Sequence, residues 1–175
     1  INVATGIAHA IEEYSATNLV IGLHYKSNIV DSFFGSLTES LLKGTFREIL
    51  IARYLIPVNS IRKIHVAVPP KAEYETGFVK WIEHLSRMAS QLSCGLVFYG
   101  LEETLDYVGK VAVKFPAATL ASYTSLESWC NFGKIKENMY NSHLAVVISA
   151  RRGSHSYDAS FENAKIAFNK ISLDN

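Results

Sequence analysis

A glycine at the end of an apolar run and a Gly-Ser pair before a helical segment are the residues of this chain best suited to bind a phosphate. Gly22 ends the run "NLVIG", and Gly35 and Ser36 follow a polar segment. Backbone N–H groups approach a phosphate closely where glycine leaves room, and a helix N-terminus favours an anion. The hydroxyl of Ser36 can cap the helix or donate to the phosphate. The pattern predicts a phosphate-binding turn, and a strand–turn–helix connection is the alternative.

Basic residues lie in this turn and in one later loop. Lys26 could reach a phosphate from the turn, and a solvated surface lysine is the alternative. Arg151 and Arg152 follow an apolar run and precede Gly153 and Ser154. Two guanidinium groups beside a glycine are suited to hold a phosphate or a carboxylate. Arg151, Arg152 and Ser154 are therefore a candidate anion site, with a solvated loop as the alternative.

The remaining polar residues do not indicate catalysis or metal binding. No serine lies in a Gly-x-Ser-x-Gly elbow, and Glu73 and Glu75 are interpreted as favourable charges at the start of a helix. His65 is expected to pack within a strand, and the other histidines lack partners at metal-ligand spacing. Cys94 and Cys130 lack metal-ligand or redox spacing and are expected to be reduced thiols. We therefore expect no catalytic residue and no metal.

Charge and hydropathy exclude several classes of partner. The 17 Lys and Arg residues nearly balance the 16 Asp and Glu residues, which gives a formal net charge of +1. A nucleic-acid-binding domain carries a basic surface that this composition does not provide. No uncharged apolar run approaches the length of about 20 residues that a membrane helix needs. We expect these residues to be soluble and not to bind nucleic acid.

Strands and helices alternate along the whole chain. Such alternation predicts an α/β protein with doubly wound, mostly parallel sheets that are covered on both faces. Within the helix predicted at residues 74–92, Phe78, Trp81 and Leu85 recur at helical spacing and predict its buried face. The predicted strands are residues 18–24, 46–54, 63–68, 93–100, 118–123 and 143–149, and helices are predicted within residues 1–16 and at residues 33–43, 74–92, 101–111, 126–140 and 157–171.

A faint internal repeat suggests two units. The helix–strand–turn pattern of residues 12–27 recurs loosely at residues 136–154. We expect residues 1–57 to be the C-terminal part of a first unit and residues 58–175 to be a second unit that lacks its last strand. Because the chain opens on Ile1, inside a pattern, it is expected to be a piece of a longer polypeptide, and removal of a methionine by proteolysis or initiator processing is the alternative.

The glycine spacing resembles the nucleotide motif of the universal stress proteins, which is Gly, two residues, Gly, nine residues, Gly, then Ser or Thr. Gly22, Gly35 and Ser36 occupy motif positions in register, and Tyr25 stands at the second glycine position. The resemblance implies that ATP or AMP binds at Gly22, Tyr25, Lys26, Gly35 and Ser36. Tyr25 departs from the motif by placing a side chain where the family's backbone approaches a phosphate.

The second unit departs further from that family. Its strand "KIHVAV" is followed by Pro69, where the family has an aspartate that contacts adenine. The later loop at residues 149–162 keeps neither the nine-residue spacing nor a Gly-Ser pair before a helix. We therefore do not expect the second unit to bind a nucleotide in the manner of the family.

Two longer stretches resemble the cytoplasmic C-terminal region of bacterial monovalent cation:proton antiporters. They are "GLHYKSNIVDSFFGSLTESLLKGTFREILIAR" and "VAVPPKAEYETGFVKWIEHLSRMASQL". The resemblance implies universal stress protein-like units at the cytoplasmic face of the inner cell membrane, joined to a transmembrane sodium/proton or potassium/proton exchanger in the same polypeptide. A regulatory role that senses a nucleotide or another anion follows from it. A stand-alone nucleotide-binding stress protein is the alternative.

One predicted strand also suggests self-association. In "FREILIARY", the side chains of Phe46, Ile49, Ile51 and Tyr54 would leave an apolar edge exposed in a monomer. Two-fold pairing would cover the same edge on both chains, so a homodimer is expected. The alternative is that the second unit covers this strand within one chain.

Overall fold

The chain forms two compact α/β units in a computed structural model that describes residues 2–22, 36–52, 56–129, 131 and 133–160. The units are Ile1–Leu55 and Ile56–Asn175. Every strand pair described is parallel, and the larger sheet is flanked by helices. The predicted fold class, α/β with a doubly wound and mostly parallel sheet, is confirmed.

In its described residues, the first unit alternates two helices with two strands. Helix α1 begins after Asn2, whose side-chain oxygen accepts a hydrogen bond of 3.1 Å from the Ala4 amide and so caps the helix. Among the described residues of this unit, Ile11 and Leu41 are the most buried large side chains. The elements are α1 (Val3–Glu13), β1 (Asn18–Gly22), α2 (Ser36–Gly44) and β2 (Glu48–Ala52), and β1 pairs with β2 in parallel.

The apolar surface of this unit differs from the one predicted. Phe46 is 98% exposed, as expected, but it lies before β2 rather than within it. Ile49 and Ile51 are only partly exposed. Their neighbours on the other face of the sheet, Val20 and Leu50, are paired in register and are 59% and 46% exposed. Val20 and Leu50 are therefore exposed on a sheet face rather than along a strand edge, and Tyr54 lies outside the described residues.

The second unit is built on a four-stranded parallel sheet in the order β5-β4-β3-β6. The first strand of the unit, β3, is therefore central, and the chain later returns to place β6 on the other side of it. The strands are β3 (Lys63–Ala67), β4 (Gly95–Gly100), β5 (Ala121–Ser125) and β6 (His143–Val147), and the helices are α3 (Phe78–Leu92), α4 (Glu102–Ala112) and α5 (Gly133–Glu137). Short 3₁₀ turns occupy Val58–Ser60, Ala72–Tyr74 and Ala118–Leu120.

One face of this sheet packs against α3 and α4. Helix α3 buries Phe78, Trp81 and Leu85, as their spacing predicts, against alternate residues of the strands such as Val66 and Phe98. Burying each large apolar side chain contributes about 2 kcal/mol. The side chain of Cys94, which precedes β4, is also buried as a free thiol.

The opposite face packs against the segment between β5 and β6. Tyr99 and Ala67 on the sheet form a second apolar cluster with Leu126, Trp129 and Ile135. Because neighbouring residues of a strand point to opposite faces, β3 and β4 contribute to both clusters. The sheet is thus covered on both sides, which is the doubly wound arrangement.

Two predicted helices are wrong in extent. The sequence predicts one helix over residues 126–140, but of the residues described in this range only Gly133–Glu137 is helical. The Leu126 amide donates to the Gly100 carbonyl at 2.8 Å, which continues the strand pairing, and the Asn131 amide donates to the Ser128 carbonyl at 3.0 Å, which closes a turn. The last helix was predicted to begin at Tyr157, but residues 157–160 are not helical, and its remaining part lies outside the described residues.

Candidate functional site

The strand order defines where a ligand is expected in the second unit. Doubly wound sheets bind ligands beyond the carboxyl ends of the strands, at the point where the strand order reverses. Here that point lies between β3 and β6, since β4 and β5 are on one side of β3 and β6 is on the other. The strand β3 ends before Pro69, and β6 ends before Ser149 and Ala150.

A small cleft lies at this switch point. Its interior volume is about 10 Å³, which is close to the space for one ordered water molecule. The lining residues are Pro69, Trp129, Ile148, Ser149, Ala150, Ser156, Tyr157 and Asp158.

The predicted anion-binding residues follow the cleft in a tight turn. Arg151 is partly buried, and this burial lowers the pKa of its guanidinium group. Arg152 is exposed, and the Ser154 amide donates to the Arg151 carbonyl at 3.0 Å. Gly153 has a φ of 88°, a left-handed conformation that glycine adopts without strain. The structure therefore places Arg151 beside the cleft-lining Ala150, whereas Arg152 faces solvent.

A carboxylate holds the end of this loop. The backbone amide and the hydroxyl of Ser156 both donate to Oε1 of Glu75, at 2.8 and 2.9 Å. Ser156 is only 4% exposed. The interpretation of Glu73 and Glu75 as charges at the start of the helix is wrong for α3, which begins at Phe78 and has no acidic residue in its first turn. The Glu75 carboxylate instead joins the loop after β6 to the segment between β3 and α3. Nearby, the rings of Tyr74 and His155 lie 6.1 Å apart.

Three polar side chains form a hydrogen-bonded chain across three neighbouring strands of this sheet. His65 on β3 is 2% exposed, and its Nδ1 lies 2.9 Å from the hydroxyl of Tyr99 on β4. Its Nε2 lies 2.9 Å from Nδ1 of His143 on β6. The Tyr140 amide also donates to that Nδ1, at 3.4 Å. His143 Nδ1 is therefore an acceptor, so His65 donates through Nε2 and accepts the Tyr99 hydroxyl hydrogen at Nδ1.

This arrangement keeps both histidines neutral at neutral pH. Burial lowers the pKa of His65 to about 4, with smaller contributions from the charges of His143 and Lys63. Burial also lowers the pKa of His143, and Lys63 lowers it further. The pKa of Tyr99 is raised by burial. The three side chains thus form a neutral polar chain in which each buried nitrogen of His65 has a partner.

The sequence predicted the burial of His65 but missed its pairing with His143. The two residues are 78 positions apart, and no local spacing connects them. Lys63 pairs in register with His143, which places His143 one step diagonally from His65 on the same sheet face. The contact between His65 and His143 could therefore be predicted only from the pairing of β3 with β6.

The glycine motif lies only partly within the described residues. Gly22 is the last residue of β1, and no atom of the described residues lies within 4 Å of the position that a Cβ would occupy there. Ser36 is the first residue of α2. Tyr25, Lys26 and Gly35 lie outside the described residues, so the nucleotide site stays a prediction.

Comparisons of this chain with protein-family models, with curated proteins and with solved structures gave no match. In the part of the chain that the structure describes, no helix has the length and apolar character needed to cross a membrane. The fold and the switch-point geometry are therefore the observations from which a function can be proposed.

The buried histidine makes stability depend on pH. A folded-state pKa of about 4 against an ordinary value of 6.5 means that the unfolded chain binds the proton more readily between these values. We expect the free energy of unfolding to be unaffected by His65 above pH 6.5 and to fall by about 3 kcal/mol as the pH falls toward 4. Urea unfolding measured at several pH values tests this.

The matched variants are His65→Gln, which removes the titrating group, and His155→Gln, which removes an exposed histidine. The first should flatten the pH dependence of the unfolding free energy, and the second should leave it as in the wild type. If the unfolding free energy of the His65→Gln variant depends on pH as in the wild type, the buried imidazole does not cause that dependence.

Proposed function

We propose that this chain is the soluble regulatory domain of a membrane monovalent cation:proton antiporter, at the cytoplasmic face of the inner cell membrane. The observation that carries the proposal is the resemblance of residues 22–53 and 66–92 to the corresponding region of such antiporters. The division into two α/β units and the doubly wound sheet of the second unit support it. The transported cation is sodium or potassium, and the transport residues belong to a separate transmembrane domain.

The proposed role is to sense an anion and to bias the conformations of the transporter. A bound ligand shifts such an equilibrium only through different affinities for the two states. The loop that carries Arg151 and Arg152 is suited to this role, because it follows β6 at the switch point and contacts the β3–α3 segment through Glu75. Binding without catalysis is favoured, since the hydroxyl of Ser156 in the cleft is already engaged by that carboxylate.

A nucleotide is the proposed ligand of the first unit. The register of Gly22, Gly35 and Ser36 with the stress-protein motif supports ATP or AMP, although Tyr25 adds a side chain at the turn. The same spacing also favours the second candidate function, a stand-alone nucleotide-binding protein of the universal stress type. The two functions differ in whether the gene product transports cations.

Transport by the complete gene product tests the proposal. Everted membrane vesicles that contain it should dissipate a pH gradient when sodium or potassium is added, and AMP or ATP should change that rate. In the Gly35→Val variant the nucleotide effect should be lost, because the added side chain blocks the close approach of a phosphate.

The control is Gly6→Val, since no atom of the described residues lies within 4 Å of the position of a Cβ at Gly6. Its vesicles should respond to nucleotide like the wild type. Vesicles without cation-driven proton movement would refute the antiporter assignment, and nucleotide binding by the isolated chain would then favour the stand-alone function. A transport rate that does not change when nucleotide is added would refute the proposed nucleotide ligand.

We also propose that the chain forms a homodimer through the first unit. The exposed apolar side chains of Phe46, Val20 and Leu50 support this, because pairing would remove them from water. Sedimentation over a concentration series should show a monomer–dimer equilibrium that Leu50→Lys weakens at least tenfold. The control Val113→Lys changes an exposed residue of the second unit and should leave the equilibrium unchanged. A monomer at every concentration would contradict the proposal.

A further inference from the structure

In the contact between Glu75 and Ser156, two hydrogen-bond donors of Ser156 hold the carboxylate of Glu75 as they could hold a bound anion. A backbone N–H and a hydroxyl of the same residue converge on one carboxylate oxygen, at 2.8 and 2.9 Å. Hydrogen bonds to an ionised acceptor are stronger than those between neutral groups. A phosphate oxygen accepts hydrogen bonds from the same donors as a carboxylate oxygen does.

The surroundings of Ser156 suit an external oxyanion. Ser156 is 4% exposed and lines the switch-point cleft together with Ser149 and Ala150. The loop that leads to it carries Arg151 and Arg152, five and four positions before Ser156. The carboxylate that lines the cleft, Asp158, accepts hydrogen bonds from the amide and the hydroxyl of Ser160 and so is engaged within its own turn.

We propose that Glu75 is a built-in competitor that occupies an oxyanion site formed by the backbone amide and the hydroxyl of Ser156, and that a phosphate group binds there when the Glu75 carboxylate leaves. This inference rests on the proposed anion-sensing function and names the position and the regulation of the site. The ligand is a phosphate group, carried either by inorganic phosphate or by a nucleotide monophosphate.

The exchange of Glu75 for phosphate would produce two states of the loop. Glu75 lies between the turn Ala72–Tyr74 and helix α3, so its departure releases this segment from the loop after β6. The two states differ in affinity for phosphate, because only one has the donors of Ser156 available. That difference is what a ligand requires in order to shift a conformational equilibrium.

The test is a titration of the 175-residue chain followed by the amide signal of Ser156 in a ¹H–¹⁵N NMR spectrum. Inorganic phosphate and AMP are titrated into the wild type, Glu75→Gln and Glu73→Gln. Glu75→Gln should lower the dissociation constant of phosphate about tenfold, because a neutral amide oxygen competes less well for the donors than a carboxylate. Glu73→Gln removes an equal charge in the same segment and should have the wild-type constant.

The named outcomes separate this inference from the proposed function. Equal tightening in Glu75→Gln and Glu73→Gln would be a general charge effect and would overturn the inference. Shifts at the amides of Arg151 and Arg152 without a shift at Ser156 would leave anion sensing in place and refute the Ser156 site. No shift in any variant would refute both.

A double variant controls for indirect effects. Adding Ser156→Ala to Glu75→Gln removes the hydroxyl donor and should reverse most of the gain in affinity, whereas a persistent gain would contradict the inference. Binding of AMP at least as tight as that of phosphate, with further shifts at Tyr157, would identify a nucleotide as the source of the phosphate group. Tighter binding of inorganic phosphate would identify the free anion.

Discussion

The parallel pairing of β3 with β6 is the constraint on which the second unit depends. Lys63 to Ala67 pair on one side with β4 and on the other side with β6, so that β3 is fully enclosed. This pairing reverses the strand order and creates the switch point. It also brings the loop after β6 next to the segment after β3, where Glu75 and Ser156 meet. Every feature of the candidate site follows from the adjacency of these two strands.

The polar chain of Tyr99, His65 and His143 fixes how the strands pair. A polar group buried without a partner costs free energy, so each nitrogen of His65 favours the register that provides one. A slip of β6 by one residue would move His143 to the opposite sheet face and leave His65 Nε2 without its partner. The low pKa of His65 is a consequence of the same enclosure. The register of β6, the neutral state of the two histidines and the burial of His65 therefore depend on the same arrangement of side chains.

The fold was predictable because it is specified locally by alternating patterns. The spacing of Phe78, Trp81 and Leu85 predicted the buried face of α3, and the apolar runs predicted the strands to within a few residues. The prediction of a helix at residues 126–140 was wrong because Leu126 and Trp129 are three positions apart, a spacing that is typical of the buried face of a helix. In the structure both side chains pack on the sheet from a segment that is not helical.

The site was predictable only in part. The loop of Arg151 was recognised from its place after a strand, but the partners of Glu75 and His65 depend on which strands pair. Ser156 and Glu75 are 81 positions apart, and no sequence spacing relates them. The nucleotide motif shows the opposite case, since its spacing is evident in the sequence while Tyr25, Lys26 and Gly35 lie outside the described residues.

The hydrogen bond between the two imidazoles offers the most direct test of the β3–β6 pairing. In a sample with ¹⁵N-labelled histidine, NMR at neutral pH should show a scalar coupling across this bond, between Nε2 of His65 and Nδ1 of His143. The ¹⁵N shifts should also show that His65 carries its proton on Nε2. The absence of any coupling between the two imidazoles would contradict the strand pairing and with it the switch-point site, whereas a His65 ring protonated on Nδ1 would reverse the direction of this hydrogen bond.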